Sequence, residues 1–564
     1  MENRPWLHHY GNEIPHEIDA DRYNSISELL DESFKNYADR IAFSNFGKEL
    51  TFKEVDKYSA DFAAFLQNEA GLKKGDKIAV QMPNLLQYPI VVFGALRAGV
   101  TVVNTNPLYT TSEMEHQFKD SQAKAIVILA NFASNLQKIL PNTSIETVIV
   151  TEIGDMIGGL KGTITNFVVK RVKKMVPAYS LPSAISFKTA LKKGAASQFK
   201  KVEISNDDLA FLQYTGGTTG VSKGAMLTNR NIIANVQQLL VWMQSGGLRS
   251  DEIVITALPL YHIFALTVNL MVMIQVGAKN VLITNPRDMD GFCKEMKKHK
   301  FTVITGVNTL FVGMLNNPIF QTIDFSALKF GFGGGMAVQK FTSDKWNEVT
   351  NSPLCEGYGL TETSPVLTSN LLKDEGKFIK TGSIGIPMPS TEIRIIDDEG
   401  NDVVAGEPGE LCAKGPQVMK GYWGRPEETA ATFHDGWLKT GDVAVMDDGG
   451  YFKIVDRKKE MILVSGFNVY PNEVEDAIAN HPKVKEVGAI AVPDKKSTEA
   501  VKVYIVKNDN SLTEDEIKEH CKECLTGYKR PKHVAFAEEL PKSNVGKILR
   551  RILKEEDLKV NSYD

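Results

Sequence analysis

The stretch Tyr214-Thr215-Gly216-Gly217-Thr218-Thr219-Gly220-Val221-Ser222-Lys223-Gly224 decides how the rest of the chain reads. Its four glycines let backbone amides approach an anion closely, its three threonines add hydroxyl donors, and Lys223 supplies charge. A plain glycine turn needs neither the threonines nor the lysine. The apolar runs Phe211 to Tyr214 and Ala225 to Leu227 on either side predict two strands joined by this loop. The common NTPase loop has Gly before its Lys and Ser or Thr after it. Here Ser222 precedes Lys223 and Gly224 follows, so this is a phosphate cradle of another class.

Upstream, helical and strand patterns alternate. Thr51-Phe52-Lys53-Glu54 has capping-box spacing and opens a helix with Val55, Phe62, Ala63 and Leu66 on one face. A strand is predicted over 77–82, a helix over 85–98 and a strand over 100–103, the pattern of an α/β sheet between helices. At 564 residues the chain is too long for one ordinary core. The last hundred residues read as a second unit. A helix over 472–479, strands over 484–492 and 500–506, and a helix from Thr513 with Glu516 at capping-box spacing predict a small α+β domain. The charged run Asp456-Arg457-Lys458-Lys459-Glu460 joins the two.

Composition narrows the function. Apolar residues are 43% and charged residues 24%, as in soluble globular chains. The 65 basic and 69 acidic residues give a net charge of −4, which argues against nucleic acid as a partner. Five scattered cysteines fit a reducing compartment. The N-terminus has no signal-peptide pattern. The most apolar stretch, 263–278, is shorter than a membrane span and carries Asn269 and Gln275. A cytoplasmic protein is expected.

The phosphate loop resembles the signature of the acyl-adenylate-forming enzymes, and further motifs of that superfamily follow in order. They are Leu258-Pro259-Leu260-Tyr261-His262, Gly333-Gly334-Gly335, Gly357-Tyr358-Gly359-Leu360-Thr361-Glu362-Thr363 and Gly436-Trp437-Leu438-Lys439-Thr440-Gly441-Asp442. Val455-Asp456-Arg457-Lys458-Lys459 with Ser465-Gly466, and Pro541-Lys542-Ser543-Asn544-Val545-Gly546-Lys547, complete the set. Asn84 to Pro89, Asn106 to Tyr109, Ile304 to Leu310 and Gly466 to Glu473 narrow it: they look like bacterial long-chain fatty-acid–CoA ligases over nearly the whole chain.

The resemblance implies a large N-terminal α/β domain, 1–456, and a small mobile α+β domain, 457–564, hinged near Lys459. It implies two half-reactions, carboxylate plus ATP giving acyl-AMP and pyrophosphate, then coenzyme A displacing AMP. By the same resemblance, Tyr214, Thr215, Gly216, Gly217, Thr218, Thr219, Gly220 and Lys223 hold the β- and γ-phosphates. Glu362, with Thr215, would ligate Mg²⁺, which prefers few protein carboxylates plus phosphate oxygens. Gly333, Gly334, Gly335, Glu356, Gly357, Tyr358, Gly359 and Thr361 would line the nucleotide. Asp442 would take the ribose hydroxyls with Arg457 beside it; outside its motif, Asp442 reads as a turn residue. Lys547 would offset repulsion between carboxylate and α-phosphate, and Gly466 would face coenzyme A. His262 is expected to orient the acyl carboxylate, since an ionised carboxylate needs no general base. Stretch 263–276 and the helix near Trp242 border either an acyl tunnel or simply the core. The substrate would be a long-chain fatty acid, with medium-chain or aryl acids the alternative, and the chain a homodimer.

Three local features remain. Between Asp155 and Lys200 stand nine Lys or Arg against one acid. Ile164, Phe167, Val168, Val172, Met175 and Val176 recur beside that charge at helical spacing. A basic amphipathic helix suits peripheral attachment to an anionic inner membrane, and equally a solvated surface. Cys521-Lys522-Glu523-Cys524 has no second cysteine pair, so it reads as structural. Ser222 stands where many relatives of the phosphate loop carry proline.

Overall fold

The phosphate loop joins the last two strands of a seven-stranded sheet. In spatial order its strands are Ile185–Ser186, Thr147–Thr151, Ala125–Leu129, Lys77–Gln81, Thr101–Asn104, Leu209–Thr215 and Lys223–Thr228. All pair in parallel except the last two. Lys77–Gln81 and Ala125–Leu129 are buried along their whole length, the mark of a parallel strand covered on both faces. The computed structural model describes residues 4–215, 222–372, 376–465, 467–543, 546, 548–561 and 563.

Helices pack these strands as the sequence patterns require. Thr51 and Glu54 form the expected capping box on Phe52–Asn68, worth about 1 kcal/mol. That helix crosses Gln87–Arg97 so closely that a Cβ at Gly94 would strike the Ser59 carbonyl at 2.8 Å. The second helix starts two residues later than its apolar run predicts, because Leu85 and Leu86 are spent in the turn that caps it.

A second sheet of nine strands is parallel through its middle, from Leu354–Gly359 across Phe330–Gly333, Val303–Gly306, Ile253–Thr256 and Lys279–Leu282 to Ile41–Asn45. Antiparallel strands cover both its ends. A third sheet is antiparallel: Glu392–Ile396, Gly409–Lys414, Trp437–Met446 and Phe433–His434, with Phe452–Arg457 also on Trp437–Met446. One core of buried side chains touches all three sheets, and separate clusters cover the other faces of the second and the first. The chain leaves the third sheet at Arg457 and enters a fourth at Ile462. That sheet, Phe467–Val469, Ile462–Val464, Thr498–Lys507, Val484–Asp494 and His533–Ala537, has its own cores beneath helices Pro471–Ala479, Glu514–Cys524 and Arg550–Val560. The Thr513–Glu516 capping box is present.

Two segments take a π-helical form. The apolar stretch after His262 forms a π-helix over Ala265–Val272, all eight residues buried. The basic segment is helical over Gly159–Phe167 and continues as a π turn, Val168–Val172. Val176 packs against the core of the first sheet, but Leu160, Ile164, Phe167, Val172 and Met175 are 52–77% exposed. No described helix is long and apolar enough to cross a membrane. All five cysteines are free thiols, Cys521 buried and Cys524 exposed.

Candidate active site

The two strands of the phosphate hairpin end in register, Thr215 opposite Lys223. Gly216, Gly217, Thr218, Thr219 and Gly220 lie outside the described residues. What anchors the hairpin is clear. Tyr214 Oη donates to Asp120 at 2.7 Å, Arg425 takes the other Asp120 oxygen at 2.7 Å, and His116 Nε2 meets the Ser222 carbonyl at 2.9 Å. Burial and the Asp120 carboxylate together push the Tyr214 phenol far above its usual range, so it stays a hydrogen-bond donor.

A segment that sequence reasoning passed over, 419–423, stitches this hairpin to the turn Thr361–Thr363. Met226 N and Lys420 N exchange bonds with the Gly421 and Met226 carbonyls, and Trp423 N donates to the Gly224 carbonyl at 2.8 Å. Met419 N donates to the Glu362 carbonyl at 2.8 Å. Tyr422 is thereby fixed between two predicted site residues. Its hydroxyl donates to Glu362 Oε1 at 2.7 Å, and Lys223 Nζ lies 5.0 Å from its ring centroid. Burial first, then the Glu362 charge, raises the Tyr422 phenol well beyond the physiological range. Glu362 and the Thr215 hydroxyl are hard oxygen donors, a set that suits Mg²⁺ sharing its shell with phosphate and water. Among the described residues no group of three or more His, Cys, Asp or Glu side chains is gathered to hold a metal ion.

Asp442 lies mid-strand in Trp437–Met446 and not in the turn it suggests outside its motif; the ten-residue strand continues through it. Its cross-strand mate is Arg457, whose Nε sits 3.2 Å from Asp442 Oδ1, and Tyr358 Oη donates to Oδ2 at 2.7 Å. Each carboxylate oxygen keeps a second lone pair for an incoming hydroxyl. Arg457, Lys459, Thr440 and Gly441 line an open cleft of about 260 Å³. Lys459 is drawn below its ordinary pKa by burial and by Arg457, while Glu460, Asp442 and Glu362 act in the opposite sense.

The glycine run ends the strand Phe330–Gly333 beside Leu354–Gly359, with Gly333 paired to Glu356. A Cβ at Gly334 would crowd the Gly357 carbonyl at 3.1 Å and the Phe264 ring at 3.2 Å, and Gly335 has a φ of +75°. Only glycine keeps that shelf flat enough for a planar ring. Burial, reinforced by the Asp476 charge, pushes the Glu356 carboxyl up to about 8. It is therefore a neutral hydrogen-bonding group near pH 7. Thr361 opens the turn that carries Glu362.

His262 is held by its own segment. Asn84 accepts from Leu260 N at 2.8 Å and donates to the Leu258 and Thr256 carbonyls; Tyr88 and Gln213 bond the Leu260 and Tyr261 carbonyls. Desolvation lowers the imidazole to about 4, so it is neutral at pH 7, fit to orient a group and unfit to carry charge. Trp242 and the residues after His262 belong to the core that touches all three sheets. Lys547 and Gly466 lie outside the described residues. Gly546, beside Lys547 in sequence, turns with a φ of +82°, and a side chain there would strike Thr309 of the second sheet's helix Asn308–Leu315.

Comparison with known proteins follows the same lines. A model of AMP-binding enzymes matches residues 30–423, and one of the AMP-binding enzyme C-terminal domain matches residues 473–547. The chain is 55% identical to a long-chain-fatty-acid–CoA ligase of Yersinia pestis, covering 99% of each chain. It is 54% identical to one of Escherichia coli O6:H1, covering 98% of each. Among solved structures, an anthranilate–CoA ligase in complex with anthranoyl-AMP superposes with a TM-score of 0.85 at 24% identity, covering 96% of this chain and 99% of that one. That likeness speaks for the fold.

Proposed function

From the premise that this chain belongs to the AMP-binding enzyme family, with its large N-terminal and small C-terminal domains, we propose that it is an ATP-dependent long-chain fatty-acid–CoA ligase. The fatty-acid carboxylate attacks the α-phosphate of ATP, the bond from that phosphorus to the bridging oxygen breaks, and pyrophosphate leaves. The sulfur of coenzyme A then attacks the acyl carbon of acyl-AMP, AMP leaves with the carbon–oxygen electron pair, and the thiol proton passes to solvent.

Two anions must be held in line and their charge offset before the first step proceeds. Lys223 and the hairpin from Thr215 offset phosphate charge at one end of the site. Asp442, braced by Tyr358 and Arg457, takes the ribose hydroxyls, and the shelf Gly333 to Gly335 beside Gly357 and Gly359 takes the adenine. Glu362 and Thr215 would hold Mg²⁺, which when bound would supply Lewis-acid stabilisation of the phosphate oxygens. Lys547 offsets charge at the α-phosphate, neutral His262 orients the acyl carboxylate, and the Gly466 loop faces coenzyme A. The C-terminal domain, 457–564, turns about Lys459 between the two steps.

The observation that carries this reading is the joining of Lys223 to Glu362 through Tyr422, a cation and a carboxylate fixed about one ring at the mouth of a phosphate hairpin. ATP–pyrophosphate exchange across a series of acids tests it. Exchange that rises from C8 to the C12–C18 acids supports the long-chain assignment. Exchange confined to aryl or medium-chain acids overturns it.

The enzyme is cytoplasmic and homodimeric in this reading, and docks peripherally on an anionic membrane through residues 160–175. Exposed Leu160, Ile164, Phe167, Val172 and Met175 stand among Lys161, Lys170, Arg171, Lys173 and Lys174, an apolar and basic face that suits acyl-chain boundaries and anionic headgroups together. Replacing Lys170, Arg171, Lys173 and Lys174 with Gln, or Phe167 and Val172 with Ser, lowers sedimentation with phosphatidylglycerol vesicles. Equal binding by wild type and both variants rejects the docking face.

A further inference from the structure

Asp456 ends the third sheet beside Arg457, and side chains on a strand alternate between faces. Arg457 turns to Asp442, so Asp456 turns the other way, into a fully buried seam against the C-terminal unit. There its Oδ2 accepts from Asn472 N at 2.7 Å, at the first turn of helix Pro471–Ala479. Its Oδ1 accepts from Arg457 N at 2.7 Å and from Arg550 Nη1 at 3.3 Å. Arg550, which opens the last helix, forks onto Glu475 at 2.8 and 2.6 Å, reaches Glu460 at 2.5 Å, and bonds Asn472 Oδ1. One guanidinium therefore gathers carboxylates from three parts of the chain.

These partners are unequal. Glu475 belongs to the C-terminal unit, where it also accepts from Ala489 N, and Glu460 follows Lys459. Asp456 alone among the three belongs to the sheet that carries Asp442, and its bond to Arg550 is the longest. If the C-terminal unit turns about Lys459, Arg550 takes Glu475 and Glu460 with it and releases Asp456. The joint thus has a permanent half and a breakable half. While it is made, the Gly546 turn rests against Thr309.

Resting on the ligase reading, we infer that Asp456 and Arg550 are positioning residues for acyl-AMP formation, locking the C-terminal unit in the arrangement this structure shows, and that thioester formation proceeds without the lock. Neither touches substrate; each acts by fixing where the Gly546 turn sits.

The test separates the half-reactions. Acyl-AMP formation is measured in single turnover from fatty acid and ATP, and thioester formation from prepared acyl-AMP and coenzyme A. Asp456→Ala is expected to slow the first about ten- to hundredfold and leave the second within about twofold, the scale of losing a buried charge-assisted bond. Asp456→Asn keeps an acceptor for Asn472 N and is expected between Ala and wild type. Arg550→Lys keeps the charge and loses the fork, and is expected to slow the first step alone. Unchanged acyl-AMP formation in Asp456→Ala, or equal loss of both steps in Asp456→Asn and Arg550→Lys, overturns the inference. A wild-type chain that makes thioester from acyl-AMP but no acyl-AMP from fatty acid overturns the ligase reading, and the lock with it.

Discussion

Tyr422→Phe is the sharpest test of the site. The substitution deletes one oxygen, the donor to Glu362 at 2.7 Å, and keeps the ring 5.0 Å from Lys223 Nζ. A hydrogen bond to a charged group contributes about 1.5–3 kcal/mol. At about 1.4 kcal/mol per tenfold, that is roughly ten- to 150-fold in rate if the bond is fully expressed in the transition state. Tyr422 and Glu362 are only partly buried, so water replaces part of the bond and the lower end, about tenfold, is expected. The backbone bridge between Tyr422 and Ala225 does not involve the hydroxyl, so the fold should be kept.

ATP–pyrophosphate exchange, titrated with MgCl₂, reads the effect. Tyr422→Phe should lower the maximal rate about tenfold and shift half-saturation to higher Mg²⁺. Tyr422→Ala should cost a further two- to fivefold, because about 0.5–1 kcal/mol of Lys223 cation–π attraction goes with the ring. In a Glu362→Gln background the Tyr422→Phe change should add little, since the two act through one bond. Exchange within twofold of wild type at every Mg²⁺ concentration, or fully additive losses in the double variant, would refute the proposed coupling.

Three other outcomes follow from the protonation states and thiols. Glu356 titrates near 8 when folded against 4.5 when free, so the folded chain binds the extra proton across that window and loses stability as pH rises through it. Glu356→Gln should flatten that decline in urea midpoints measured from pH 5 to 8.5; an unaltered slope counts against a buried neutral carboxyl. His262 is already neutral above pH 5, so His262→Gln should change the rate of acyl-AMP formation without moving its pH profile between 5.5 and 8. A profile that loses a limb near 6.5 makes it a titrating catalyst. Cys524→Ser should leave the unfolding free energy from urea titration within about 0.5 kcal/mol of wild type, while Cys521→Ser, which buries a hydroxyl, should lower it by about 1–3 kcal/mol, with activity kept in both. Loss of activity in Cys524→Ser would make the pair functional.

What the sequence disclosed and what it hid follow from the range of the interactions. Capping at Thr51 and Thr513 is settled within three residues, so it reads directly from the string. The hairpin around Lys223 reads equally well, because two apolar runs and a glycine-rich gap leave few other ways to fold. Asp442 was recognisable only by motif. Its strand continues through it because Arg457 stands opposite, fifteen positions away, and register is not written locally. Tyr422 gave no signal at all. Its neighbours are glycine and tryptophan, and its role arises from Glu362, sixty residues upstream, brought to it by backbone bonds that any residue types can make.

The charged run from Asp456 to Glu460 shows the same limit more strongly. In one dimension it is a solvated linker, five charges in succession with nothing to bury them. In the fold, alternation along the strand divides it: Arg457 goes to the cleft with Asp442, and Asp456 goes into the seam, where no part of it is exposed. A buried carboxylate persists only where partners offset its desolvation, and burial here raises its pKa to about 6 despite three donors. Those partners, Asn472 and Arg550, lie sixteen and ninety-four residues on. Arg550 in turn reads as one basic residue in a basic tail until the three carboxylates around it are seen. Charge that a linear reading assigns to solvent is thus spent on fixing one domain against the other, at the point where the chain passes between them.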